Sequence, residues 1–180
     1  MPAASSLAMH QRYMRKIFET NRLILRELTQ NDVGDLFKFF GDPEAMRYLT
    51  GTKNLNEIEE WLSLVFESYQ NMYFGPWAVI LKGSNEFLGY CGLYLQKNVD
   101  GKDEVEILFG FIRQYWGVGY ATEAAIGVYE YGKTELKLRR FISLVAPGNL
   151  KSSNVVKKVG MKLEKETRMW GGKYHKYSID

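Results

Sequence analysis

The feature that most constrains this chain is a predicted strand that passes through a glycine-containing turn directly into a predicted helix. The strand covers residues 104–112, the turn contains Gly117 and Gly119, and the helix covers residues 120–133. Two glycines this close allow successive backbone N–H groups to point into one concavity, and the first N–H groups of a helix lack partners within it. The helix dipole adds positive potential there. The turn is therefore either a tight connection or a binding site for a phosphate or pyrophosphate group.

Two familiar phosphate-binding loops do not explain this turn. The dinucleotide pattern G-x-G-x-x-G fails because Thr122 stands where the third glycine is needed. The Walker pattern needs Gly-Lys-Ser/Thr at the end of the glycine loop, and this turn does not contain it.

The remaining hydrophobic pattern surrounds this segment with both strands and helices. An apolar stripe with helical spacing indicates a helix over residues 54–69, and residues 77–81 and 87–95 predict a hairpin. Further strands are predicted at 22–28, 139–145, 162–170 and 174–179, further helices near 36–40 and 152–159, and a polar loop at 96–103. The order β-αα-β-β-β-α-β-α-β-β indicates a mixed α/β fold with about seven strands, not a doubly wound sheet.

The length of 180 residues and an average composition correspond to one soluble domain. We assign this domain to residues 19–180 and expect residues 1–18 to form a flexible N-terminal extension. No apolar run reaches the roughly 18–20 residues that a membrane-spanning helix needs, and the absence of a signal-peptide core predicts a reducing cytoplasm. Cys91 is the only cysteine, which excludes an intrachain disulfide, and no His/Cys cluster predicts a metal site.

The net charge of +3 conceals a basic C-terminal part. Residues 133–176 hold twelve Lys or Arg against three Glu. This surplus indicates either an anionic partner or a surface that folds back against the more acidic first part of the chain.

The residues of the turn resemble the acyl-CoA-binding motif of the GNAT N-acetyltransferase superfamily, Arg/Gln-x-x-Gly-x-Gly/Ala. Residues 116–121 fit this motif except at Trp116, and the longer run Tyr115–Ala124 is similar to the form found in ribosomal-protein N-terminal acetyltransferases. Residues 145–161 resemble the Pro-x-Asn-x-x-Ser…Lys-Leu-Gly-Phe signature of the same branch, with Val159 and Met161 in place of Leu and Phe. The resemblance spans roughly residues 19–180.

This resemblance implies a mostly antiparallel twisted sheet flanked by helices, in which a central strand pair splays apart to admit acetyl-CoA as cosubstrate, without a metal. Main-chain groups of Phe109 and Phe111 would contact the pantetheine arm. The pyrophosphate would be bound by N–H groups of Gly117, Val118, Gly119, Tyr120, Ala121 and Thr122. The 3′-phosphate of CoA would contact a basic side chain, for which Lys151, Lys157 and Lys158 are the candidates.

Asn149 and Ser152 follow the strand on the other side of the implied opening. The resemblance implies that Asn149 contacts the pantetheine arm and that the Ser152 hydroxyl assists the departing thiolate. The residues also allow structural roles, since Ser152 is a suitable helix N-cap and Asn149 a suitable turn residue after Pro147-Gly148.

Glu104 and Glu106 are the candidates for proton transfer. An amine must lose a proton before it attacks a thioester, and these two carboxylates share one face of the strand that enters the turn. We predict that Glu106 is the general base, although a carboxylate at the wet end of a strand is the alternative.

The resemblance implies that the acceptor is a primary amine, either a protein N-terminus or a small molecule. Its pocket is expected near the first two helices, where Asp32, Asp35, Asp42 and Glu44 are candidate contacts for a cationic amine. A CoA-binding sensor without turnover is the first alternative function, and a nucleic-acid-binding protein with basic and aromatic contacts is a less favoured one. The sequence indicates no membrane partner, and both a monomer and a homodimer remain open.

Overall fold

The computed structural model describes residues 15–180, and its framework is one sheet with the strand order β1-β2-β3-β4-β5-β6-β8-β7. Only the neighbours β5 and β6 are parallel, and every other neighbouring pair is antiparallel. The strands are β1 Lys16–Glu19, β2 Leu23–Glu27, β3 Pro76–Leu81, β4 Phe87–Val99, β5 Lys102–Phe111, β6 Phe141–Val145, β7 Lys162–Met169 and β8 Gly172–Ile179.

Within the described residues, four α-helices cover this sheet: α1 Val33–Phe40, α2 Leu55–Asn71, α3 Tyr120–Thr134 and α4 Leu150–Val159. Helix α2 begins with a capping box, in which the Asn54 side chain accepts from the Glu57 N–H and the Glu57 side chain accepts from the Asn54 N–H. Gly160, in the left-handed conformation at φ 101°, ends α4. No helix in residues 15–180 is long and apolar enough to cross a membrane.

The helices lie in two layers on opposite faces of the sheet. Tyr90 of β4 packs against Phe39 and Phe40 of α1 and against Trp61 of α2. On the other face, Phe141 of β6 packs against Tyr129 of α3. The core therefore consists of two apolar layers, one on each side of the central strands.

The sequence prediction of a mixed α/β fold is confirmed, but the sheet has eight strands. The additional strand β1 contains residues 16–18, which we assigned to the N-terminal extension, and it pairs with β2. Arg15, just before β1, accepts a hydrogen bond at its carbonyl from the Glu27 N–H, and residues 1–14 of that predicted extension lie outside the described residues.

The predicted polar loop over residues 96–103 is wrong. Strands β4 and β5 continue as one long hairpin that turns at Asp100 and Gly101. Asn98, Asp100 and Gly101 all have positive φ, a conformation that Asn, Asp and Gly tolerate better than other residues. Their polarity therefore reflects turn geometry and exposure, not the absence of strand structure.

The tip of this hairpin folds over the basic C-terminal strands. Asp100 accepts hydrogen bonds from Thr167 Oγ1 at 2.6 Å and from Lys176 Nζ at 2.9 Å, and its carboxylate also lies 2.9 Å from Lys165 Nζ. These contacts lower the pKa of Asp100 far below its ordinary value. Part of the basic surplus is thus neutralised within the fold.

Candidate active site

The parallel strands β5 and β6 diverge after a single backbone pair. Glu106 pairs with Ile142, and no further pair between these two strands follows within the described residues. The Ile107 carbonyl accepts a hydrogen bond from the Ser143 hydroxyl at 2.9 Å, so a side chain replaces the next ladder bond. The divergence leaves an opening between the two strand ends.

The main chain of β5 faces this opening at alternate residues. Because the Ile107 carbonyl points towards β6, the two-residue period of a strand directs the main-chain groups of Phe109 and Phe111 to the same edge. The Phe111 carbonyl accepts from the Trp116 indole N–H at 2.7 Å. Phe109 thus offers its main-chain groups to the opening, whereas the carbonyl of Phe111 already has a partner.

Trp116 and Lys151 span the opening from opposite sides. Trp116 follows β5, Lys151 lies in the first turn of α4 after β6, and the Lys151 ammonium sits 4.1 Å from the centre of the indole ring. A cation over an aromatic face is attracted by the ring quadrupole. Trp116, which departs from the general motif, therefore links the two diverging segments.

The glycine turn presents free N–H donors at the start of α3. Gly117 and Gly119 have φ of 79° and 88°, and Gly119 is the N-cap of α3 without any side-chain cap. In contrast, α2 and α4 both have asparagine caps. The N–H groups in the first turn of α3, those of Tyr120, Ala121 and Thr122, are therefore available to an external acceptor.

The space beside the turn is open enough for a ligand. An added Cβ on Gly117 would meet no atom within 4 Å, and one on Gly119 would meet only the Arg22 side chain, at 3.5 Å. A cavity of about 460 Å³ is lined by Gly119, Thr122 and Lys158, among others. Open space, free donors and a lysine together fit a phosphate-containing ligand.

Glu123, in the first turn of α3, does not cap its own helix. Its carboxylate accepts from the Thr20 hydroxyl at 2.6 Å, the Arg22 main-chain N–H at 2.8 Å and Arg22 Nε at 2.6 Å. Burial opposes ionisation of this carboxyl, but the bonds from Thr20 and Arg22 outweigh it and lower the pKa of Glu123. Sequence reasoning missed both partners, because they approach from the segment that joins β1 and β2.

Glu106 occupies the base of the opening. Its side chain is 6% exposed; one oxygen accepts from Gln96 Nε2 at 2.6 Å and the other from the Leu144 N–H at 3.0 Å. Burial raises the pKa of Glu106 to about 7, although the two hydrogen bonds act in the opposite direction. No cation of the described residues forms an ion pair with it.

Glu104, on the same face of β5, has a different environment. Its carboxylate pairs with Arg140 at 3.1 Å, and Arg140 also contacts Glu164 and Asp180. The charge of Glu104 is therefore compensated, whereas that of Glu106 is not. Of the two candidate bases, Glu106 is the buried one without a cation partner among the described residues, and its role as the general base stays a prediction.

Asn149, not Ser152, caps α4. The Asn149 side-chain oxygen accepts from the Ser152 N–H at 3.1 Å, so α4 begins two residues earlier than the sequence predicted. The Ser152 hydroxyl forms no hydrogen bond with any described residue and is half-buried. Both residues lie on the α4 side of the opening, across from the turn at Gly117–Gly119.

The four carboxylates proposed for an amine pocket all have basic partners. Asp32 pairs with Arg26 at 2.7 Å, and Asp42 pairs with Arg113 at 2.9 Å. The other two pairs are Asp35 with Lys38 and Glu44 with Arg47. None of these carboxylates is therefore left uncompensated for a cationic acceptor.

No group of three or more His, Cys, Asp or Glu in residues 15–180 could hold a metal ion.

Comparison with known proteins agrees with this architecture. Residues 22–162 match the family described as acetyltransferase (GNAT) domain. The chain is 34% identical over 152 residues to the Bacillus subtilis protein YkkB, covering 84% of this chain and 88% of that protein. It is 30% identical over 160 residues to the Bacillus subtilis N-acetyltransferase YoaA, with 87% and 89% covered.

Solved structures show the same fold. A GNAT-family acetyltransferase from Bacillus anthracis superposes with a TM-score of 0.75 at 25% identity, covering 89% of this chain and 96% of that one. A ribosomal L7/L12 α-N-protein acetyltransferase in complex with coenzyme A gives a TM-score of 0.74 at 15% identity, with 92% and 97% covered. The second likeness concerns the fold alone, so the ribosomal-protein branch stays a prediction. The family match and the two curated relatives show that this chain belongs to the GNAT acetyltransferase family.

Proposed function

We propose that this protein transfers the acetyl group of acetyl-CoA to a primary amine by direct attack in a ternary complex. The observation that carries the proposal is the position of Glu106, a buried carboxyl without a cation partner, at the base of the opening between β5 and β6. Free N–H donors lie at the entrance of the same opening. In this proposal, acetyl-CoA binds and the acceptor amine loses its proton at the same opening.

Acetyl-CoA is bound by main-chain groups more than by side chains. N–H groups of Gly117 to Thr122 bind the pyrophosphate, and the main-chain groups of Phe109 bind the pantetheine arm along the unpaired edge of β5. The Phe109 N–H also stabilises negative charge that develops on the thioester oxygen. Lys158, which lines the cavity beside α3, is the lysine best placed for the 3′-phosphate.

Glu106 removes the proton that prevents the acceptor from reacting. The acceptor ammonium loses a proton to the Glu106 carboxylate, directly or through water, and the free amine attacks the thioester carbon. The C–N bond forms, the C–S bond breaks, and the extra proton on the attacking nitrogen is passed to the departing thiolate, which leaves a neutral amide and a free thiol. Ser152, whose hydroxyl is free of other hydrogen bonds, supplies a donor to that sulfur.

The acceptor is a protein N-terminus or a small amine. The four carboxylates of Asp32, Asp35, Asp42 and Glu44 already have basic partners, whereas those of Glu59, Glu60 and Glu67 on α2 form no ion pair with any described residue, so the charge of the acceptor is left to the amine panel. The name N-acetyltransferase carried by a relative at 30% identity supports transfer to nitrogen.

The proposal is tested by measuring thiol release from acetyl-CoA in the presence of a panel of amines: peptides with free N-termini, amino sugars, polyamines and aminoglycosides. We expect at least one class to accelerate release well above the rate without amine. If CoA stabilises the protein thermally but no amine accelerates release, the protein is a sensor of CoA and the proposal is wrong.

A matched pair of variants tests where the donor binds. Gly119→Asp places a carboxylate beside the free N–H groups, whereas Gly83→Asp makes the same change in the β3–β4 turn, where φ is 86° and a Cβ meets no atom within 4 Å. We expect Gly119→Asp to lose thermal stabilisation by CoA and Gly83→Asp to keep it. If CoA stabilised the two variants equally, this turn would be excluded as the binding site of acetyl-CoA.

A further inference from the structure

The segment before β2 meets the start of α3 in a cluster made by Thr20, Arg22 and Glu123. Both oxygens of Glu123 are used: one accepts from Thr20 Oγ1 and the Arg22 N–H, and the other accepts from Arg22 Nε. The Glu123 side chain is 19% exposed and that of Arg22 is 38% exposed. The cluster is thus a semi-buried junction at the edge of the proposed phosphate site.

Glu123 would compete with a phosphate if this junction did not hold it. A carboxylate in the first turn of a helix is attracted to the free N–H groups there. In this chain the carboxylate is turned to Arg22, and Gly119 provides no side-chain cap. The contact with Arg22 therefore keeps an internal anion away from the donors and compensates its charge.

The other end of Arg22 orients the turn itself. Its Nη1 donates to the Val118 carbonyl at 3.2 Å, and its guanidinium lies 4.5 Å from the centre of the Tyr120 ring. In a trans peptide the carbonyl of one residue points opposite to the N–H of the next. Holding the Val118 carbonyl towards Arg22 therefore directs the Gly119 N–H away from it.

We infer that Arg22 is a positioning residue for the phosphate-binding turn, and that it acts through the Val118 carbonyl and through Glu123. The inference rests on the proposed function, because it concerns the site at which the phosphorylated part of the donor binds. Arg22 fixes the direction of one N–H donor and keeps the Glu123 carboxylate, the acidic group in the first turn of α3, away from the site. A contact that only joined β2 to α3 would not change the affinity for CoA.

The decisive experiment measures the Kd of CoA by calorimetry for the wild type, Arg22→Met, Arg22→Lys and the double variant Arg22→Met/Glu123→Gln. We expect Arg22→Met to raise the Kd about tenfold or more. Arg22→Lys restores the charge but not the forked contacts, so its Kd should lie between those of the wild type and Arg22→Met. The double variant should bind more tightly than Arg22→Met alone, because the released carboxylate is gone.

Arg26→Met is the matched control. Arg26 lies four residues further along the chain, within β2, and makes a bidentate contact with Asp32, so its loss should lower the melting temperature without a change in the Kd of CoA above threefold. A Kd for Arg22→Met within threefold of the wild type would overturn the inference, as would a double variant that binds more weakly than Arg22→Met. The two failures are distinguishable: if CoA does not bind at this turn, Gly119→Asp binds it normally, whereas if only the inference about Arg22 is wrong, Gly119→Asp loses CoA binding and Arg22→Met keeps it. Loss of acetyl transfer alone is seen in the amine panel and leaves the Kd of CoA unchanged.

Discussion

The buried carboxyl of Glu106 predicts an unusual dependence of stability on pH. Its pKa is about 7 in the folded protein, against an ordinary value of 4.5 that applies to the unfolded chain. Because the folded pKa is the higher one, the folded state favours the protonated carboxyl. Glu106 therefore costs no stability below about pH 4.5, and this cost grows as pH rises towards 7 and then stays constant.

The size of the effect follows from the two pKa values. At about 1.4 kcal/mol per pKa unit, the carboxylate costs roughly 3 kcal/mol of folding free energy above pH 7. Glu106→Gln removes this cost and keeps an oxygen for the Leu144 N–H. The side-chain amide of Gln96 flips so that its oxygen accepts a hydrogen bond from the new side-chain N–H. Gln96 and Leu144 therefore both keep a hydrogen bond to residue 106.

The assay is urea unfolding of the wild type and Glu106→Gln between pH 4 and 8. We expect the variant to gain up to roughly 3 kcal/mol over the wild type as pH rises, with almost no difference at the acid end. Glu104→Gln is the control on the same face: it removes a partner of Arg140, so it should lower stability at neutral pH. A difference between Glu106→Gln and the wild type that stays constant with pH would refute the reasoning.

Three further predictions concern turnover and the start of α4. Glu106→Gln should reduce turnover by about 10²–10⁴-fold while the Kd of acetyl-CoA stays close to that of the wild type, and the defect should shrink at higher pH as free amine becomes abundant; wild-type turnover at neutral pH would exclude Glu106 from proton transfer. Asn149→Ala should cost about 1 kcal/mol in urea unfolding, through loss of the cap to the Ser152 N–H, and should weaken acetyl-CoA binding; unchanged binding would leave Asn149 as a cap only. Ser152→Ala should slow turnover without a change in melting temperature, since its hydroxyl has no hydrogen bond in the described residues; a lower melting temperature with normal kinetics would mean a structural role.

The elements that follow from local pattern could be predicted from the sequence. The apolar stripe with helical spacing placed α2 close to its observed bounds, because that signal lies within the helix itself. The cap of α4 was misassigned because Asn149 and Ser152 are both good caps, and only the main-chain geometry distinguishes them. The β4–β5 hairpin tip was missed because its residues are polar for reasons of turn conformation.

The glycine turn was found by its motif, but the residues that orient it were not. Arg22 and Glu123 are 101 positions apart in the chain, and nothing local to either residue indicates their contact. The difference between the environments of Glu104 and Glu106 likewise depends on Arg140, which directly precedes β6 and pairs with Glu104. Long-range packing decides these environments, and single-sequence patterns carry little information about it.

The central claim, acetyl transfer to an amine, is tested most directly by following the acetyl group itself. The full chain is incubated with acetyl-CoA that carries a deuterated acetyl group and with the best amine of the panel, and the amine is then analysed by mass spectrometry. We predict that the amine gains one deuterated acetyl group for each thiol released, and that both products fall together in Glu106→Gln. Thiol release without a labelled amine, or no release with any amine, would contradict the account.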